Sequence, residues 1–231
     1  MPLPSQLLLQ ASLFRGLPEQ DRQAVLAQAR VRDFAAGQFI VHQDELVGEL
    51  LLATRGRVRL YQLTPDGHQV ILHIAGPGEA IVLLPALTGE QSSVSAQAVE
   101  ATSALAWDEA DFRALMRRFP GLGFNAIAIL GEHIRLYQDR IRELTTERVE
   151  RRLARTLLRL AKQLGVRTAQ GVLIDLPLSR QHLAEMSGTT LYSASRILRA
   201  WEEHGIVSSG RERVTIRSPH KLVAIAEDLQ R

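Results

Sequence analysis

Between residues 189 and 199 the chain sets hydroxyls, guanidinium groups and one phenol at intervals that gather them on one side of a helix. Thr190, Leu191, Tyr192, Ser195, Arg196 and Arg199 fall on that side, with Thr189 just ahead of it. Ala194, Ile197, Leu198 and Trp201 fall on the other, at spacings of three and four. A guanidinium can donate two parallel hydrogen bonds to O6 and N7 of guanine, worth about 1–3 kcal/mol against a wrong base. Arg196 is therefore the candidate base reader. Leu191 with Tyr192 suits thymine methyl groups or the sugar–phosphate backbone. Ser179 and Thr190 stand near helix starts, and Arg180, Arg211 and Arg213 are cationic, so these five are candidates to hold phosphates.

The segment from Leu178 to Val207 would position this face. Ser179 is suited to cap a short first helix, whose buried side is Leu183 and Met186, and Ala184 is small enough for a close crossing. Gly188 stands at the corner, where a residue without Cβ can take a positive φ. The second helix then runs to His204-Gly205, Gly being usual just past a helix end. Two short helices about a tight corner are the form of a helix-turn-helix; a helical hairpin in a globular core is the other reading. Ile206–Ser208 and Val214–Arg217, flanking Ser209-Gly210-Arg211, predict a small hairpin, hence a wing. Ser218-Pro219 predicts the start of a last helix over Lys221–Leu229.

Upstream, Glu147–Gly165 is amphipathic, with Val149, Leu153, Leu157 and Leu160 on its apolar side, and Val172–Leu176 reads as a short strand. Before it, Ile127, Leu130, Ile134, Tyr137, Ile141 and Leu144 alternate at three and four, with Glu132, Arg135, Asp139, Arg140 and Glu143 off the stripe. Six such positions make a heptad seam and predict a homodimer along that helix; a helix packed only on its own domain is the alternative. Residues 5–30 read as helical, and Phe112–Phe119 as helix again. Between Phe34 and Trp107 the texture is that of short strands: Phe39–Val41, Glu49–Ala53, Val58–Leu63, Val70–Ile74, Ala80–Leu84, Val94–Val99 and Ala104–Trp107, divided by Gly- and Pro-rich turns. Thr64-Pro65-Asp66-Gly67 is the clearest hairpin loop.

Composition narrows the function classes. The 231 residues include no cysteine, which excludes disulfides, thiolate-held iron–sulfur clusters and cysteine redox switches. No apolar run approaches the roughly 20 residues of a membrane span. The N-terminus lacks the basic start and apolar core of a signal peptide, so a cytoplasmic protein is expected. Residues 1–146 hold 13 Lys and Arg against 16 Asp and Glu, whereas residues 147–231 hold 15 against 9. The cationic surplus therefore lies with the helix-turn-helix, as binding to double-stranded DNA requires. No serine, histidine and acid stand at catalytic spacing, and an enzyme is not expected.

The order of β-roll, long helix and winged helix resembles the cyclic-AMP receptor/fumarate–nitrate regulator family of bacterial transcription factors over nearly the whole chain. Asp66-Gly67 through Gly76-Pro77-Gly78-Glu79 is similar to the family's roll. Arg152-Leu153-Ala154-Arg155-Thr156-Leu157-Leu158 is similar to its first DNA-domain helix, and Leu178-Ser179-Arg180-Gln181 with Ala184, Gly188 and Ser195-Arg196 to its reading head. The resemblance implies an α+β fold: a double-stranded β-helix sensing an effector over 1–118, a dimerisation helix over 119–146 and a winged helix-turn-helix over 147–231. It also implies contact with RNA polymerase, through the Thr64–His68 turn and the Arg167–Gly171 loop.

Two departures qualify that resemblance. The family's recognition helix usually offers a Glu where Tyr192 stands here, preceded by Leu191, and a branched residue where Ala194 stands. Members that bind cyclic nucleotides carry Gly-Glu-Leu and then Arg-Ser/Thr in the roll. The corresponding positions here fall near Val82-Leu83 and Ser92-Ser93, with Tyr137 and Gln138 where small hydroxyl residues would meet the base. Without the carboxylate and the guanidinium, cyclic AMP is not the expected effector. Gly188-Thr189-Thr190-Leu191-Tyr192 is similar to the reading heads of nitrogen-oxide-responsive members, some of which use haem, so haem stays open. Val82, Leu83, Ser92, Ser93 and Tyr137 are the candidate pocket, floored by the apolar run Ala80–Leu87. Of the histidines, His42, His68 and His73 lie in the roll and His133 on the long helix; His68 and His73 read as opposite faces of one strand, and no pair has metal-ligand spacing. A regulator without a ligand and a cupin-like metal enzyme fused to a DNA-binding tail are the competing readings; the second needs clustered His and Glu inside the barrel and finds no His-x-His set.

Overall fold

The computed structural model describes residues 11–210 and 212–229; the helix expected near Leu7–Leu9 and the wing residue Arg211 lie outside them. Two units, Met1–Tyr137 and Gln138–Arg231, each form their own set of contacts.

In the first unit a 3-10 turn at Ser12–Phe14 and helix α1 (Glu19–Leu26) lead into eight strands: β1 (Arg30–Phe34), β2 (Phe39–Val41), β3 (Glu49–Arg55), β4 (Val58–Leu63), β5 (Gln69–Ala75), β6 (Ala80–Ile81), β7 (Ser95–Ala98) and β8 (Thr102–Asp108). They form two four-stranded antiparallel sheets, ordered β1-β8-β3-β6 and β2-β7-β4-β5. This is the double-layered roll that the family resemblance implies, built from the short strands expected of the alternating runs. Leu50, Leu52, Val58, Leu105 and Trp107 are buried in its core. The Trp107 indole N–H donates to the Val25 carbonyl at 2.9 Å, tying α1 to β8. The Thr64–His68 loop closes as a hairpin, with the Thr64 N–H on the His68 carbonyl at 2.9 Å.

Three local expectations are corrected here. The helix ends at Leu26, and Arg30–Phe34 is an edge strand paired with β8. Its Arg30, Arg32 and Asp33 give it no apolar alternation, which is how an edge strand avoids pairing with other chains. The run Ala80–Leu84 is a strand only to Ile81; Leu83–Thr88 is helix α2, entered through Val82 at φ 48°. A short apolar run does not distinguish buried strand from buried helix, and Pro85 cannot donate to a ladder. His68 belongs to the turn and not to β5, so it shares no strand with His73; its Nδ1 lies 2.7 Å from Asp66.

Helix α3 (Glu109–Arg118) and the long helix α4 (Pro120–Thr146) follow, Pro120 filling the first helical position that lacks a partner for its N–H in any case. Leu122, Ala126 and Ile129 of α4 are buried in the roll's core, and the Asn125 side-chain amide donates to the Leu13 and Arg15 carbonyls, both at 2.9 Å. Glu143, off the apolar stripe, is buried within the second unit, where it accepts from Arg159 at 2.6 Å.

The second unit contains α5 (Val149–Leu164), β9 (Gly165–Thr168), β10 (Gly171–Ile174), α6 (Arg180–Ser187), α7 (Leu191–Glu203), β11 (Val207–Gly210), β12 (Arg213–Ile216) and α8 (Pro219–Ala226). Leu153, Leu157 and Leu160 of α5 are buried, each worth roughly 1.5–3 kcal/mol of burial, whereas Val149 is half-buried. The wing is not an isolated hairpin: β11 and β12 belong to a four-stranded antiparallel sheet, β11-β12-β10-β9. The expected Arg167–Gly171 loop is thus mostly strand β9 and its turn. Gly171 sits at φ 129° against the Ile216 carbonyl of β12, where a Cβ has no room. Helix α8 stops short of Leu229, which is exposed. Ser218 holds the position before Pro219, but its side chain makes no capping bond and lies 3.2 Å from the His220 ring.

Candidate nucleic-acid interface

The first helix of the pair is closed at its start by a capping box. The Ser179 hydroxyl accepts from the His182 N–H at 3.0 Å, and the His182 ring accepts from the Ser179 N–H at 3.4 Å. At its end the Ser187 hydroxyl donates to the Leu183 carbonyl at 2.6 Å, and Gly188 turns the chain at φ 60°, ψ 49°. That left-handed corner is open to glycine at no steric cost. Thr190 then caps α7, its hydroxyl oxygen accepting from the Ser193 N–H at 3.2 Å. With the caps formed and Ala194, Leu198 and Trp201 buried, the rotation of α7 about its axis is determined. Ile197, expected on the buried side, is only half-buried.

The opposite side of α7 is open. Tyr192 is 77% exposed, and Thr190, Leu191, Arg196 and Arg199 are exposed with it; Thr189 and Ser195 are half-buried. Neither Arg196 nor Arg199 makes a hydrogen bond or ion pair with another described residue. The two guanidinium groups, one helical turn apart, form a cationic, donor-rich strip without partners among the described residues. Arg213 is exposed on the wing strand β12. Arg180 differs: its Nη2 lies 3.3 Å from the Glu202 carboxylate and 3.0 Å from the Ser209 hydroxyl.

Reading the sequence alone missed what holds the corner. Arg152 of α5 donates through Nε to the Ser187 carbonyl at 3.0 Å, through Nη2 to Gly188 at 2.9 Å and through Nη1 to Glu147 at 2.9 Å. Carbonyls left over at a helix end are thereby satisfied by a cation, which also suits the negative end of the α6 dipole. Nearby, Glu147 is buried and paired with Arg155 at 3.0 Å.

Along α4 the six seam residues divide by exposure. Ile127, Ile134, Tyr137, Ile141 and Leu144 are exposed, and Leu130 is partly buried against the roll. Phe124, three residues before Ile127, is 73% exposed and extends the stripe by a turn; its spacing was the available signal.

The candidate pocket residues differ in burial. Val82 and Leu83 are buried in the roll's core. The Ser92 hydroxyl is buried and donates to the Val94 carbonyl at 2.7 Å, while Ser93 is exposed, its carbonyl accepting from Gln62 at 3.0 Å. A second group meets at α4. The His73 Nε2 lies 2.5 Å from Glu79, the His73 and His133 rings are 6.0 Å apart, and the His133 and Tyr137 rings 6.4 Å. Burial, and then the charge of His73, lower the His133 pKa; burial alone raises that of Tyr137. Among the described residues no three His, Asp or Glu side chains are placed to hold a metal ion, and no helix is long and apolar enough to cross a membrane.

Two family models match the chain: a cyclic nucleotide-binding domain over residues 31–119 and a Crp-like helix-turn-helix domain over residues 151–225. A cyclic AMP receptor protein of Thermus thermophilus is 33% identical over 215 residues, which is 93% of this chain and 96% of the relative. Among solved structures, the catabolite activator protein of Thermus thermophilus is similar with a TM-score of 0.55 and 32% identity, over 94% of this chain and 99% of that one. FixK2 from Bradyrhizobium japonicum shares the fold, with a TM-score of 0.75 at 23% identity over 85% of this chain and 96% of its own. A roll, a long helix and a capped helix-turn-helix carrying an open cationic face, in a chain so similar to that receptor protein, place it in the cyclic-AMP receptor/fumarate–nitrate regulator family of transcription regulators, which bind DNA through this helix-turn-helix.

Proposed function

We propose that the chain acts as a homodimer that reads a palindromic duplex site through α7 and responds to an effector other than cyclic AMP. The observation that carries this reading is the exposed face of α7, where Arg196 and Arg199 have no partner among the described residues and Leu191 and Tyr192 stand uncovered. Arg196 would bridge O6 and N7 of a guanine in each half-site. Leu191 and Tyr192 would pack on thymine methyls, a preference unlike that of a Glu, which accepts from cytosine N4. Ser179, Thr189, Thr190, Ser195, Arg199, Arg211 and Arg213 would hold backbone or neighbouring bases.

The exposed apolar stripe from Ile127 to Leu144 supports a paired helix, since monomeric proteins rarely leave so long a row of branched side chains in water. A two-fold dimer would set its recognition helices about 34–36 Å apart, one turn of duplex. Contact with RNA polymerase through the Thr64–His68 turn and the β9–β10 turn follows from family analogy.

Two observations in the roll support an effector other than an anionic cyclic nucleotide. Val82 and Leu83, near the position of the family's carboxylate, are buried in the core, and the Ser92 hydroxyl donates to the Val94 carbonyl. Selection of duplexes from a randomised library, repeated from low to physiological salt, tests the reading. A palindrome with a guanine in each half-site is expected. If the dimer makes about 6–10 phosphate contacts, affinity should fall by roughly 10³–10⁵ between 50 and 200 mM salt. Recovery of no preferred sequence would overturn it, and a micromolar affinity for cyclic AMP by calorimetry would overturn the statement about the effector.

A further inference from the structure

Glu202 lies in the last turn of α7, away from the open face, and takes no part in the reading above. Its carboxylate nevertheless joins three elements. Oε1 accepts from the Ser209 N–H at 2.9 Å and from the Ser209 hydroxyl, which fastens strand β11 of the wing. Oε2 lies 3.3 Å from Nη2 of Arg180, the first residue of α6. The Ser209 hydroxyl closes the ring by accepting from the same Nη2 at 3.0 Å. One edge of the Arg180 guanidinium is thus bound, whereas its Nη1 and Nε have no partner among the described residues, and about a third of the side chain remains in contact with solvent.

The geometry points to Glu202 as a positioning residue for DNA contact: it holds Arg180 and the wing in one hydrogen-bonded knot, so that the free edge of Arg180 is presented to a backbone phosphate. This rests on the proposed DNA reading and names a residue in its regulation. An arginine ordered before binding loses less freedom on meeting its phosphate than one that must be ordered then. The carboxylate also places a negative charge near that phosphate, so Glu202 exchanges some attraction for geometry. A residue that mattered only to folding would shift stability and leave the count of phosphate contacts alone.

The test is the salt dependence of binding, measured on a duplex recovered by selection and on a duplex of unrelated sequence, with folding of each variant followed by circular dichroism. R180Q should lower the slope of log affinity against log salt by about one for each Arg180 in the complex. E202A should lower it equally, and R180Q/E202A should bind no more weakly than R180Q. E202Q keeps one acceptor oxygen, which can still receive Ser209 and, at 3.5 Å, Arg180, and it lacks the charge, so it should recover part of the parental slope. A parental slope in E202A, or a loss that adds in full to that of R180Q, would overturn the proposal. Should E202A fail to fold, S209A serves in its place: it keeps the backbone N–H but loses the hydroxyl that meets Arg180. Its slope is expected between those of the parent and R180Q, and a parental slope overturns the proposal. A parent that binds no duplex at all removes the DNA reading itself, a result that no comparison among variants would mimic.

Discussion

The side chain of Leu144, at the end of the seam on α4, occupies the space that a Cβ on Gly188 would need. The end of the long helix therefore bears directly on the corner of the helix-turn-helix, which Arg152 clamps from α5. Gly188→Ala adds a methyl there and forces a side chain into the left-handed region, which costs about 1–2 kcal/mol before any displacement of Leu144. Urea denaturation should show a loss of at least that size, part of it recovered in the double variant with Leu144→Ala. A loss unaffected by Leu144→Ala would leave backbone strain as its only source.

Arg196→Ala should remove discrimination at one guanine per half-site, about 1–3 kcal/mol each, while binding elsewhere in the site is kept. Selection with the variant reads this out, and an unchanged base preference would refute the role. Tyr192→Phe separates the two contacts open to the phenol. Thymine preference survives if the ring packs on methyl groups, and affinity falls without a change of sequence if the hydroxyl binds a phosphate.

Ile134→Glu places a charge in the middle of the stripe. Ile127, Ile134 and Ile141 are all exposed, and burying each against a partner is worth roughly 1.5–3 kcal/mol. Analytical ultracentrifugation should find the variant monomeric where the parent is a dimer, with DNA affinity reduced in step. A monomeric parent would contradict the proposed assembly.

His133 on the long helix is half-buried. Its pKa is lowered by burial and by His73, with Glu79 and Glu132 opposing. The folded state therefore holds the neutral ring more firmly than the unfolded chain does, whose histidine titrates near 6.5. As pH falls through that value, the unfolded chain takes up the proton first, and stability is lost until the lowered folded value is passed. His133→Gln should flatten this part of the curve. Equal pH dependence of denaturation in parent and variant would assign the effect elsewhere.

What could be read in the chain beforehand was local. Ser179, Gly188 and Thr190 announce helix ends because capping and positive φ are decided within three or four residues, and the face of α7 follows once Ala194, Leu198 and Trp201 are assigned inward. The turn Thr64–His68 is legible for the same reason. Strand β1 was hidden because an edge strand with Arg30, Arg32 and Asp33 carries no alternation. The end of the run Ala80–Leu84 misled because apolar runs of that length look alike in strand and helix.

The amino-acid order by itself determined the succession of short strands, long helix and winged helix-turn-helix, since periodicity, caps and turn residues act over one or two turns of chain. Only the tertiary structure decided that Leu83 belongs to the core, that Arg152 holds the corner, and that Arg180 is shared with Glu202 and Ser209. Those partners lie 22 and 29 residues away along the chain, and only the folded backbone brings such side chains within hydrogen-bonding distance.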